Sequence, residues 1–230
     1  MDLQSYFDQI YCINLKSRED RWEECQIEFK KHQIDGVFKF NAVSGIPKSV
    51  KVVGTLGIDK ANFNFKEKLS GTVGCLLSHL KIIKDARKRK LSKILILEDD
   101  VQFVSGVQQR FAGMCGEIPD DWSLLYFGGN ELGNPIKVSD NVIRISNMLM
   151  THAIAINGNF YDELIEIIEK CEWPVDRYYA QFQSTHSCYA IYPYLAWQRA
   201  GWSDIEQRFR IFDLENPSEN LIKILECKQK

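Results

Sequence analysis

The clearest apolar pattern in the chain is the unbroken run ILIL at 94–97, which stops abruptly at Glu98-Asp99-Asp100. A run too short for a helix, extending KILIL from Lys93, predicts a strand buried on both faces. Residues 9–15 (QIYCINL) read the same way, and 37–40, 123–130 (SLLYFGGN) and 150–157 (MTHAIAIN) supply further strands. Between them the period changes to that of a helix. Ser17 with Asp20 forms a capping-box signal, and Trp22, Cys25 and Phe29 stripe the helix expected from there to about residue 32. Val73, Leu76, Leu77, Leu80 and Ile83 stripe a second helix over about 72–88, and Phe160, Leu164, Ile167 and Ile168 a third over about 159–171. Residues 46–70 mix charge with turn formers and read as a long surface loop. Strands alternating with helices predict an α/β fold: a mostly parallel, Rossmann-like sheet flanked by helices. Ligands of such sheets sit beyond the carboxyl ends of the strands.

Composition narrows the function. The chain has 230 residues, with 29 basic against 31 acidic side chains and a net charge of −2. That balance argues against nonspecific duplex binding, so no nucleic-acid partner is expected. No apolar run approaches the roughly 18 residues of a membrane span. The length suits one substantial core, read as a single domain over 1–230 that closes with a helical tail over about 206–230. Asp2, Asp8, Glu19 and Asp20 make the first twenty residues unlike a secretory signal. The seven cysteines stand no closer in sequence than Cys12 and Cys25, which removes CxxC metal and redox patterns. They read as buried thiols in a reducing compartment, and the expected residence is cytoplasmic. No P-loop, GxGxxG, GxSxG or HExxH pattern occurs, which disfavours the chemistries those loops support.

The acidic triplet is the strongest chemical signal. Carboxylates at a buried strand end are costly without a cation, donors or solvent. Glu98 and Asp100 alternate, so they point to one side of an extended chain and can hold Mg²⁺ or Mn²⁺ through oxygen. The plainer alternative is an acidic turn capping the next helix. Arg18 and Arg21, one turn apart at a helix start, suit a phosphate, or else are surface arginines paired with Asp20, Glu23 or Glu24. In SGTVGCLLSHL (70–80), Gly71 and Gly74 open a helix that carries Ser78 and His79; a lone helix histidine is more often packed than catalytic. His152 has the same plain reading. Residues 174–205 are dense in aromatics suited to core packing or to stacking on a sugar, and include Asp176, Asp204 and His186 as acid/base or metal groups.

Taken in order, INLKSREDR (13–21), NAVSG (41–45), GTVGCLLSH (71–79), ILILEDDV (94–101), LYFGG (125–129), THA (151–153), PVD (174–176) and P-x4-Q-x4-SDI (193–205) form a series. It resembles glycosyltransferase family 25, which contains lipooligosaccharide and procollagen galactosyltransferases, over about residues 9–205. The resemblance implies a GT-A type fold, a UDP-hexose donor (galactose first, glucose next), a divalent metal (Mn²⁺ or Mg²⁺) and inversion at the anomeric carbon. It implies that Glu98-Asp99-Asp100 is the DxD-like motif, with Asp100 the metal ligand ahead of Asp99; from the residues alone, His186 is a further metal candidate. It assigns Asn14, Arg18, Arg21, Ser78, His79, Glu98, Asp99 and Gln198 to the donor side and matches Asp176 and Asp204 to family motifs; an acceptor hydroxyl needs a base, for which the sequence offers Asp176 ahead of Asp204. The chain departs from the family pattern at Thr72 and Ser44, where acidic residues are common, and at Ile154, where an aromatic is common. The implied acceptor is a glycan hydroxyl or hydroxylysine of a collagen-like protein, reached in the cytoplasm, at the inner membrane's cytoplasmic face, or in a viral setting. The rivals are a catalytically weak sugar-nucleotide-binding module and a metal-dependent phosphoesterase.

Overall fold

The computed structural model describes residues 1–61 and 64–210. In chain order the elements are α1 (Leu3–Tyr6), β1 (Gln9–Asn14), α2 (Glu19–Lys31), β2 (Val37–Asn41), α3 (Phe65–Arg89), β3 (Lys93–Glu98), β4 (Val101–Phe103) and α4 (Val107–Met114). They continue as β5 (Leu124–Tyr126), β6 (Asn130–Glu131), β7 (Ile136–Lys137), β8 (Val142–Arg144), β9 (Met148–Leu149), β10 (Ala153–Asn157), α5 (Tyr161–Ile168) and α6 (Val175–Phe182). The last are β11 (Cys188–Ile191), β12 (Ala196–Gln198), β13 (Gly201–Ser203) and β14 (Arg208–Arg210).

Eight strands form the central sheet in the order β2-β1-β3-β10-β5-β11-β8-β7. Pairing directions make it mostly parallel: β10 and β8 run against the other six. Its two faces are built by the strict alternation of the strand pattern. On β3, Ile94 and Ile96 enter the core shared with α3, α5 and α6, while Leu95 and Leu97 enter the core shared with α2 and α4. Tyr11 and Ile13 oppose Ile10 and Cys12 on β1 in the same manner. Each such aliphatic side chain withdrawn from water contributes about 1.5–3 kcal/mol, so this layering is the main support of the fold.

Several expectations shift. α2 starts at Glu19 with Arg18 as its uncapped preceding residue, so Ser17 does not form the capping box. α3 starts seven residues before Thr72, because 65–71 continue the helical turn onto the end of the preceding segment. Gly74 therefore lies inside the helix, where a Cβ would stand 2.4 Å from the Val43 carbonyl oxygen. Only glycine lets α3 approach the 41–45 segment that closely, which outweighs its helix cost of about 1 kcal/mol. The 46–64 stretch is not all surface: Leu56 is buried and Val50 and Val52 pack on the core. In the expected helical tail, 208–210 form a strand, and 211–230 lie outside the described residues. Among the described residues, no helix is long and apolar enough to cross a membrane. The six described cysteines are free thiols, four of them buried.

Candidate active site

The alternation that builds β3 also divides its acidic terminus. Continuing the parity, Glu98 and Asp100 face the α3 side of the sheet, and Asp99 faces α2. Asp99 is fully engaged there. One carboxylate oxygen accepts from Arg21 at 2.6 Å and the other from Asn14 Nδ2 at 2.8 Å. Its carbonyl oxygen accepts from the Cys25 thiol at 3.2 Å. Asn14 also donates to the Arg18 carbonyl at 2.9 Å, tying the end of β1 to the start of α2. Burial pushes the Asp99 carboxyl up, while Arg21 and Asn14 draw it back. Its two oxygens each accept one hydrogen bond, so Asp99 clamps β3 to β1 and α2 while also lining the larger cavity.

Glu98 and Asp100 line both of two adjoining cavities, of about 210 and 350 Å³. Glu98 accepts from the Thr151 hydroxyl at 2.6 Å. Burial pulls its carboxyl upward, but His79 and Thr151 outweigh burial and hold it below the ordinary value. Asp100 has weaker partners, Gln198 Nε2 at 3.4 and 3.5 Å. Burial, then the neighbouring Glu98 charge, push its carboxyl up to about 7 against the pull of Arg21. A carboxylate that is half-buried, weakly bonded and beside a second carboxylate is deficient in positive charge. Oxygen donors of this kind fit a hard divalent cation.

Chain direction assembles the remaining walls. Because β10 is antiparallel to β3, with Ala153 opposite Leu97, its amino end reaches the ligand edge of the sheet and brings Thr151 to Glu98. β12 pairs with β4 so that Gln198 stands opposite Val101, beside Asp100. The smaller cavity is closed by Met150, Pro174, Asp176 and Trp202. Met150 holds a left-handed φ of 73°, costly for a side-chain-bearing residue. Asp176, in the first turn of α6, is bonded by the Arg177 and Met150 backbone, and burial raises its carboxyl above the ordinary value. The larger cavity is walled by Val43, Ser44, Gly45, Gly71 and Gly74.

The other expected residues fall into place around these cavities. Ser78 accepts from the Val43 amide at 2.8 Å and donates to the Gly74 carbonyl at 2.7 Å, pinning the 41–45 segment. His79 is buried behind Glu98, with Nδ1 at 3.0 Å from the Tyr179 hydroxyl. Arg18 pairs with Asp204 and Asp20, so Asp204 is neutralised and sits in the larger cavity, away from Asp176. Arg21 is not an exposed first-turn residue: its side chain is 13% exposed and grips Asp99. His152 bonds the Ala196 carbonyl at 3.3 Å within the core. His186 is not brought to the site. It precedes β11, at the amino edge of the sheet, with Nε2 3.1 Å from Glu163 and Nδ1 3.0 Å from Thr185. Reading the sequence missed Cys75 and Thr151; the i,i+4 pair Cys75 and His79 on one helix face was the available signal for the first.

Residues 7–158 match the family described as glycosyltransferase family 25 (LPS biosynthesis protein). Procollagen galactosyltransferase 2 of Mus musculus is 28% identical over 167 residues, covering 66% of this chain and 27% of that protein. Inactive glycosyltransferase 25 family member 3 of Homo sapiens is 30% identical over 139 residues, covering 57% and 23%. The chain thus spans about a quarter of the length of these relatives. A solved glycosyltransferase involved in glycosylation of the major capsid of PBCV-1 aligns at a TM-score of 0.36 and 9% identity, covering 70% of this chain and 64% of that one. With a family match over well more than half of its residues, this chain belongs to glycosyltransferase family 25.

Proposed function

We propose that the chain is a glycosyltransferase that moves a hexose, galactose first, from a UDP-sugar to a hydroxyl of a glycan or collagen-like acceptor with inversion. The observation that carries this reading is the position of Asp100. It stands at the junction of two cavities, charge-deficient, with a separate half-buried carboxylate, Asp176, on the wall of one of them. The larger cavity, walled by the 43–45 backbone, Ser70 and Gly71, would take the nucleotide, and the smaller one the acceptor. Asp100 would hold Mn²⁺ or Mg²⁺, which when bound neutralises charge on the departing diphosphate. Asp99, fixed by Arg21 and Asn14, sets the backbone that aims Asp100. Asp176 is the base: its raised affinity for a proton suits it to accept one from the acceptor hydroxyl as the sugar–oxygen bond forms. Trp202, 48% exposed at the rim, offers an apolar face for a sugar ring.

The inactive-named relative keeps the binding-module alternative in view, and Thr72 lies in the wall of the smaller cavity. A donor screen by released UDP, with Mn²⁺ and with EDTA, decides between them. Metal-dependent release from UDP-galactose supports transfer; tight UDP-sugar binding with no release across donors and acceptors supports the module.

A further inference from the structure

One group of side chains in the site is left unused by that chemistry. Cys75, His79 and Glu98 place a thiol sulfur, an imidazole nitrogen and a carboxylate oxygen within 4.8 Å of one another. Cys75 and His79 are one turn apart on the same face of α3, so the helix itself sets their spacing. His79 is fully buried, and its Nε2 has no hydrogen-bond partner. That atom lies 3.9 Å from Glu98 Oε1, too far for a hydrogen bond. Its other nitrogen meets the Tyr179 hydroxyl at 3.0 Å. A partner on Nδ1 is the arrangement that orients an imidazole for metal binding through Nε2. Leaving a buried ring nitrogen unpaired beside a carboxylate is costly, and a shared cation removes the cost.

We propose that Cys75, His79 and Glu98 form a binding site for a soft divalent cation of the zinc class, separate from the all-oxygen site at Asp100. Sulfur and imidazole donors select such an ion over Mg²⁺ or Mn²⁺. The ligand atoms need only a contraction of about 1 Å to reach the ~3.5 Å edges of a tetrahedron with zinc bonds of about 2.0–2.3 Å. The thiol proton leaves to solvent as sulfur binds. Cys75 and Glu98 both line the two cavities, so the fourth position opens where the diphosphate of a donor or a water can enter. The site holds its ion whether or not the chain transfers sugar.

Cobalt titration of the metal-stripped protein tests this without any transferase assay. One equivalent of Co²⁺ should give a thiolate-to-metal charge-transfer band that Zn²⁺ abolishes by displacement. The band should vanish in Cys75→Ser, persist in Cys115→Ser and Asp100→Asn, and need at least tenfold more Co²⁺ in His79→Gln. In the wild-type protein, Zn²⁺ should also protect Cys75 from alkylation, read by mass spectrometry, which keeps the test valid if Cys75→Ser folds poorly. A band that survives Cys75→Ser, no saturable band, or no protection would overturn the proposal. Loss of the band in Asp100→Asn would show one merged site and overturn the separation.

Discussion

Asp99 and Asp100 are adjacent, yet the structure treats them as opposites. Asp99 turns toward α2 and has each oxygen satisfied within hydrogen-bond distance by Arg21 or Asn14. Asp100 turns toward α3 and meets a long contact from Gln198, a second carboxylate, and Arg21 only at 3.9 Å. Asp99 is buried and Asp100 half-buried, so the depth of burial does not explain why Asp100 is the more perturbed. The difference is the supply of donors, which makes one carboxylate a structural clamp and the other a vacancy for charge. The same contrast separates the cavity walls. The 41–45 wall is locked by Ser78 and the Gly74 contact, whereas the opposing wall is made of short strands and the strained Met150.

The largest effect that sharpens this contrast is expected at Asp100. Asp100→Asn keeps the side chain's size but removes the charge, so sugar transfer should fall by a factor on the order of 10² or more. UDP and Mn²⁺ together should raise the wild-type melting temperature by more than the sum of their separate effects, since each completes the other's site. In the variant that joint gain should disappear. Near-normal turnover would break the assignment of Asp100. Asp176→Asn should also lower turnover by about 10²–10⁴, the usual range for loss of a general base. Its joint thermal gain from UDP and Mn²⁺ should stay, and a loss of that gain would move Asp176 into the donor site.

Asp99 should respond in stability rather than in chemistry alone. Arg21→Ala leaves a buried carboxylate without its cation, a change that costs about 3 kcal/mol in comparable buried pairs. Arg18→Ala breaks pairs that are more open, with Asp20 64% exposed, and should cost under about 1 kcal/mol. Urea midpoints measure both. Equal, small losses would mean that Arg21 is an ordinary surface arginine after all.

Much of this division is legible in the residues. Alternation along KILIL fixes which face Glu98 and Asp100 share, and the structure keeps that parity through the turn. The pattern does not tell strand direction, because periodicity is the same read either way. That is why β10 reversing beside β3, which delivers Thr151 to Glu98, was not foreseen. Nor does it give partners remote in sequence: Asn14 and Asp99 are 85 residues apart. The grip of Arg21 on Asp99 is hidden for the same reason, since it spans 78 residues. Thr72 reads as a helix start because the regular apolar stripe begins there, while the first turns of α3 carry only Phe65 and Leu69 among charged residues, Ser70 and Gly71.

A further effect is expected on the pH dependence of the metal-free protein, and it isolates Asp100 most cleanly. Its carboxyl is pushed up to about 7 in the folded state from an ordinary value of 3.8. As pH rises through the ordinary value, the unfolded chain releases this proton while the folded one keeps it. The folded state then binds more protons, so stability falls with rising pH over about pH 4–7 and levels off above. The stabilising contribution is thus complete below about pH 4 and lost by about pH 7. Asp99 and Asp176, also raised, bend the curve the same way, and Glu98, which is lowered, bends it the other way. The difference between wild type and Asp100→Asn cancels much of those shared contributions. In EDTA the variant should gain on the wild type by on the order of 1–3 kcal/mol between pH 4 and 7, after allowance for screening and for relaxation around a coupled pair. Adding UDP and Mn²⁺ at pH 7 should close or reverse the gap, because the cation replaces the missing donor. Chemical denaturation of both proteins across that range is the measurement. A gap that does not change with pH would show that Asp100 ionises in the folded chain as readily as Asp99, and the contrast between the two carboxylates would fail.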